Sequence, residues 1–240
     1  LMNEDLKKKL KALAMEKVEK ITGSLDKEKQ IEFGFMIKDF FDLFLEDLSV
    51  LQDLYRAYKK YIPSLALHTH HGELFYQNEM DVYTIQFLEK KFSVHEEAYA
   101  DLLAYSIEMM RDVLPLGSVV ELDPTYFNLE QQGESPVKIV ITGRFIAQKG
   151  YNAYFPYTGI VYPVGLMKPG AQIHFTPSLI KKVIHHGFKD ETEEAYQFLI
   201  KKEFILDKEM KSIEFSDADM KKLQEERSVI KEGDRNGIIR

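Results

Sequence analysis

The chain contains no cysteine in its 240 residues. That absence removes disulfides, thiolate catalysis and Cys-type zinc sites together, and it suits a reducing compartment, so a cytoplasmic location is expected. Long apolar runs are missing as well. None approaches the length that spans a bilayer, and the opening LMNEDLKKKLKALAMEKVEK is a charged amphipathic segment rather than a basic region followed by an apolar one. Neither a signal peptide nor membrane insertion is expected. Positive charge is in deficit, with 32 basic against 39 acidic side chains. Nucleic acid is therefore not expected as a partner, because affinity for a phosphate backbone comes from clustered Lys and Arg. The acidity is concentrated at the N-terminal side, where residues 1–113 carry 15 basic and 21 acidic side chains. The one dense basic cluster, Lys7, Lys8, Lys9 and Lys11, reads as a solvated helix face.

Catalytic signatures are absent too. There is no G-x-S-x-G, and the single glycines of PLGSVV and ITGRF form no phosphate cradle. The carboxylate pairs Glu193-Glu194 and Asp217-Asp219 stand in segments that read as solvated. His68, His70 and His71, ahead of Glu73, are the residue types that bind transition metals, but no third ligand is specified, so a polar loop is the expectation. His185-His186 reads as the favourable end of a helix. No enzymatic activity, catalytic residue, cofactor or metal site is expected.

What is present has two textures that meet near residue 113. Before it, spacing is helical. From Lys27 to Ile62, Phe33, Ile37, Phe40, Phe44, Leu48, Leu51, Tyr55, Tyr58 and Ile62 recur at steps of three or four, which predicts one long helix with a wide apolar face, ended by Pro63. The following LALHTHHGELFYQNEMDVY has no clean period. Ser93 with Glu96 has the form of a capping box for a further helix that runs to Val113. Beyond Pro115 and Gly117, SVVEL and VKIVITGRFIA read as antiparallel strands joined by a long loop. Gly150 to Gly170 then holds four Tyr, four Gly and three Pro, marking short strands and turns. Helices are expected from Ser178 to His186, from Asp190 (capped by Asp190 with Glu193), and near Ser216 to Lys231 in a charged tail. The fold class is α+β: a helical region at 1–112, a mainly antiparallel sheet with helices at 113–203, and a partly helical tail at 204–240.

Tyr combines large apolar area with a polar tip, which suits both cores and binding surfaces. Tyr151, Tyr154, Tyr157 and Tyr162 cannot all point inward, and with Phe33, Ile37, Phe40 and Phe44 on the long helix they are the expected partner-binding residues.

The elements Leu114-Pro115-Leu116-Gly117-Ser118-Val119-Val120, Gly143-Arg144, Tyr157 with Gly159, Tyr162-Pro163 with Gly165, and Gly187-Phe188 with Asp190 and Glu193-Glu194 occur in order over residues 113–203. Together they resemble a Firmicute domain-of-unknown-function family, number 4176, whose members look like accessory proteins encoded beside LXG toxins in type VII secretion loci. The resemblance implies a non-catalytic chaperone or targeting adaptor that binds the helical N-terminal region of an LXG-type toxin, with other small helical secretion accessory proteins as further partners. Two other readings stand beside it: an immunity protein whose acidic N-terminal part would suit a basic toxin, and a metal-dependent hydrolase using His68 to His71.

Overall fold

In the computed structural model, residues 2–123 and 136–236 are described, with side chains as far as 226. The long loop expected between SVVEL and VKIVITGRFIA falls mostly outside the described residues. The architecture is α+β and divides into two compact units, Leu1–Asp112 with Lys201–Asp207, and Val113–Ile200 with Lys208–Arg240.

The first unit opens with α1 (Glu4–Gly23), capped by Asn3, whose side chain accepts from the Leu6 amide at 2.7 Å. The periodic stretch that follows is two helices, not one: α2 (Lys27–Phe44) and α3 (Leu48–Lys59). The chain leaves helical geometry at Asp47, which has φ −103° and ψ 74°. Just before it, Glu46 is held by α1, pairing with Lys7 at 2.8 Å and with Lys11 at 3.4 Å. Those lysines are thus paired rather than merely solvated. The pairing draws the Lys7 ammonium pKa up and the Glu46 carboxyl down, each chiefly through their shared hydrogen bond. The apolar stripe stays roughly in phase across the break, so spacing alone reads straight through it.

The stretch without a period is a four-stranded antiparallel meander, β1 (Ser64–Thr69), β2 (Gly72–Glu79), β3 (Val82–Phe87) and β4 (Lys90–His95), paired in that order. Each connection has two residues, and the second, Met80-Asp81, has both φ values positive, at 44° and 65°. That is the twist a tight hairpin needs, reached here without the Asn-Gly or Asp-Gly that would announce it. Inward residues face one another across the ladders: Leu74 with Phe87, Tyr76 with Ile85, Tyr83 with Val94, Ile85 with Phe92. Ser93 lies in β4, its hydroxyl 2.8 Å from that of Thr84. It therefore does not cap α4 (Glu96–Met110), which begins after His95.

Two aromatic clusters fill this unit. Phe40 of α2 packs against Phe87 and Phe92 at centroid distances of 5.3 and 5.6 Å. Tyr83 stacks on Tyr99 of α4 at 4.6 Å, with Tyr58 and Tyr76 around them. Burial pushes the Tyr76 phenol up to about 12 and that of Tyr99 well above its ordinary value.

Residues 201–207 join the first unit because Phe204, Ile205 and Leu206 are buried and Lys201 is fully enclosed. The Lys201 ammonium donates to the carbonyls of Met109 at 2.8 Å and Arg111 at 2.6 Å, at the C-terminal end of α4. Burial lowers its pKa from 10.5 to about 7, opposed by Glu108 and Asp112 and assisted by Arg111. The folded state therefore binds this proton less tightly than the unfolded chain does. Between about pH 7 and 10 the unfolded chain holds more protons, so stability contributed at this site rises with pH and is lost as pH falls toward 7. Urea midpoints measured from pH 7 to 9.5 should climb in the natural protein. Lys201→Met should flatten that slope, and a slope unchanged by the substitution would assign it to other groups.

The second unit is built on a five-stranded antiparallel sheet in the order β8-β7-β6-β5-β9. Its strands are β5 (Val119–Leu122), β6 (Lys138–Ala147), β7 (Tyr154–Val161), β8 (Ile173–Phe175) and β9 (Ile180–His185). The last of these corrects the helix expected from Ser178 to His186. Only Pro177–Leu179 makes a 3₁₀ turn, after which the β-branched run pairs with β5, Val183 opposite Val120. α5 (Glu191–Lys201) starts as expected, the Glu193 amide donating to Asp190 Oδ1 at 2.9 Å.

α6 (Asp217–Asn236) docks back on the start of the tyrosine-rich run. Asp219 accepts from the Asn152 and Ala153 amides at 3.1 and 2.7 Å, and Lys222 donates to the Gly150 carbonyl at 2.5 Å. Ala153, Phe155 and Ile213 form a small core there, with Met220 and Leu223 against it.

Candidate functional site

The expected partner surface is mostly interior. Ile37, Phe40 and Phe44 are buried, because α2 turns that side onto the first unit's sheet, and Phe33 is half-buried. The large apolar side chains that α2 leaves in water are Ile31 and Phe35. Tyr154 and Tyr157 are buried as well. Tyr154 stacks on Phe145 at 4.9 Å, and its amide donates to the Lys211 carbonyl. Tyr151 is half-buried and engaged by the chain's own tail, its hydroxyl donating to Glu226 at 2.6 Å and its ring lying under Lys222. Of the four tyrosines only Tyr162 is substantially exposed, at 55%. The tail thus covers Tyr151, while Tyr154 and Tyr157 are covered from within the sheet, on Phe145 and Phe175.

His70 and His71 form the tight turn between β1 and β2, closed by the Thr69 hydroxyl, which donates to the Gly72 carbonyl at 2.8 Å. His68 pairs with Glu73 across the same hairpin. Among the described residues, no group of three or more His, Cys, Asp or Glu is placed to hold a metal ion. No described helix is long and apolar enough to cross a membrane.

A different place gathers most of the short motifs of residues 114–194, Tyr162-Pro163 and Gly165 excepted. The turn at Leu114 to Ser118 is fixed from several directions. The Leu114 amide donates to the Tyr157 hydroxyl at 2.9 Å, which is what that buried tyrosine does. The Ser118 hydroxyl donates to the Pro115 carbonyl at 2.7 Å and accepts from the Gly187 amide at 2.9 Å. At Gly187 the two backbones touch: a Cβ there would overlap the Leu116 carbonyl oxygen and lie 2.9 Å from the Ser118 nitrogen. The residue next to this clamp, Phe188, is 81% exposed. The backbone that leads into this ring is anchored at Gly187, which lowers the backbone ordering that binding there would cost.

Phe188 and Leu116 form one wall of a shallow groove of about 600 Å³. Its floor is β6 from Thr142 to Arg144, and its opposite wall is α5, through Thr192, Glu193 and Tyr196. Arg144 and Glu193, expected to be solvated in the case of the acid, form a buried bidentate pair, one arm at 3.0 Å. Gln197 donates to Glu193 at 2.9 Å and to the Val113 carbonyl at 3.2 Å. The Arg144 guanidinium also lies 4.9 Å from the centre of the Tyr196 ring. The network locks α5 onto the sheet and holds Tyr196 in place at the groove. The arrangement presents apolar surface on walls held by that network.

Sequence reasoning singled out Gly187, Phe188, Arg144 and Glu193 as motif members without seeing that they meet. The available signal was Phe188 itself, an aromatic outside any apolar period. Nothing matches the chain among curated proteins or among solved structures. Residues 113–196, the stretch that carries the Leu116 turn, the Arg144–Glu193 pair and Phe188, match the model of the family described as Domain of unknown function (DUF4176).

Proposed function

We propose that the protein is a cytoplasmic adaptor without enzymatic activity, which binds the helical N-terminal region of an LXG-type toxin and brings it to a type VII secretion machinery. The toxin and the secretion system come from the family resemblance of residues 113–203. The observation that carries the binding role is Phe188, an aromatic ring exposed beside a groove and next to the Gly187–Leu116 clamp. Exposed apolar patches of this kind mark interaction sites. The groove lies within the matched residues, so the reading does not depend on parts of the chain outside them.

The test is co-purification of the full chain with each half of a toxin encoded beside it. Capture of the helical N-terminal half is expected. Capture of the catalytic half alone would make the protein an immunity factor, and capture of neither would overturn both readings.

A further inference from the structure

The groove beside α5 limits what can occupy it. Its floor is β6 at Thr142 to Arg144, where Gly143 and Arg144 pair with Thr158 and Tyr157 of β7, while the ladder to β5 reaches only Val140. Its large apolar members are the side chains of Leu116, Phe188 and Tyr196. A helix satisfies its backbone internally and engages through side chains alone.

The α5 wall has a matching pattern. Thr192, Ala195, Tyr196 and Leu199 are exposed at successive offsets of three, four and seven, the spacing along which one helix receives another. Tyr196 and Leu199 are large, and Leu199 is 62% exposed. Charge completes the description. Of the carboxylates that open α5, Glu193 is neutralised by Arg144 and Glu194 lies 3.8 Å from Lys189. Among the described residues Asp190 and Glu191 have no ion-pair partner; both are exposed, and Asp190 lines the groove with Glu191 next to it in sequence.

We propose that this groove takes an amphipathic α-helix of a partner protein, laid along α5 with its apolar stripe on Tyr196, Leu199 and Phe188 and with Lys or Arg flanking that stripe opposite Asp190 and Glu191. The assignment deepens the adaptor reading and rests on it for the identity of the natural partner. The groove's own chemistry can be tested without that partner.

Two synthetic helical peptides with one Leu/Ile stripe, flanked by Lys in one and by Glu in the other, are titrated against the full chain. The Lys-flanked peptide should bind about tenfold or more tightly at low salt, and the preference should shrink as salt screens it. Its binding should slow amide exchange over residues 192–199. Glu191→Lys should erase the preference while keeping the apolar contribution. Phe188→Ser should weaken both peptides without moving the melting temperature, since the ring is exposed. Equal affinity for the two peptides, binding indifferent to Phe188→Ser, or no binding of either would overturn the proposal. If the toxin's helical half is captured but protects some other surface, the adaptor reading stands and this site falls. Peptide binding as expected with no capture of toxin has the opposite consequence.

Discussion

Gly187→Ala is expected to cost the second unit about 3 kcal/mol or more, the upper range for forcing atoms into occupied space. The reason is local and severe. The added methyl would overlap the Leu116 carbonyl oxygen and crowd the Leu116 carbonyl carbon and Ser118 nitrogen, each 2.9 Å away. These are backbone atoms that cannot rotate aside. Relief requires separating the two segments, which also breaks the Gly187-to-Ser118 hydrogen bond and releases the turn carrying Leu116. Gly23→Ala is the matched control. It sits at the end of α1 with nothing within 4 Å of the new atom, so it should be neutral or slightly stabilising. Chemical denaturation followed by one probe in each unit would show the contrast, and a second-unit midpoint of Gly187→Ala equal to that of the natural protein would mean that the clamp relaxes easily. Phe188 should become mobile in Gly187→Ala even at temperatures where the unit stays folded, linking the backbone contact to the binding surface.

The second large effect concerns Arg144 and Glu193. Their side chains are 4% and 12% exposed. Glu193→Leu leaves a buried guanidinium without its carboxylate, for which a loss of about 3–5 kcal/mol is expected. Arg144→Leu leaves the carboxylate with Gln197 alone and should cost somewhat less, since Glu193 is nearer to water. Replacing both by Leu should recover most of the loss, to within about 1–2 kcal/mol of the natural protein, because no uncompensated charge remains and what is forfeited is the contact with Tyr196 and the Gln197 hydrogen bond to Glu193. The measurement is a double-mutant cycle of unfolding free energies. Additive losses in the double variant would show that the two residues act separately. The cycle also separates stability from recognition: the double variant should fold, yet bind partners more weakly because Tyr196 has lost the cation beneath its ring.

Several local decisions could be read directly from residue types. Asp190 capping α5, the strands Val119–Leu122 and Lys138–Ala147, and the α1 helix all follow from side chains acting on their own neighbourhood. Where local signals were weak or carried two meanings, the reading failed. The β1–β4 meander was missed because its turns use His-His and Met-Asp in place of the residues that favour positive φ. Ser93 with Glu96 has the form of a capping box, but the strand ladder to His95 had the stronger claim on Ser93. Ile180–His185 lacked clear alternation and became a strand because β5 offered it an unpaired edge.

By itself, then, the sequence determined the α+β class, the absence of thiol chemistry, the sign of the charge and the motifs that gather around Gly187. Those are properties of composition and of short-range contacts, in which the deciding atoms lie within a few residues. Which aromatics face water was decided only in three dimensions. Tyr154 and Tyr157 are as polar-tipped as Tyr162, and Phe40 stands on the same helix as Phe35. The difference is whether another part of the chain arrives to cover them. For Phe40 it is the β4 side of the meander, for Tyr151 it is α6, and for Phe188 no described side chain covers the ring, while Gly187 holds its backbone still. Burial is a relation between distant segments, so it belongs to the fold and not to any residue's own preference.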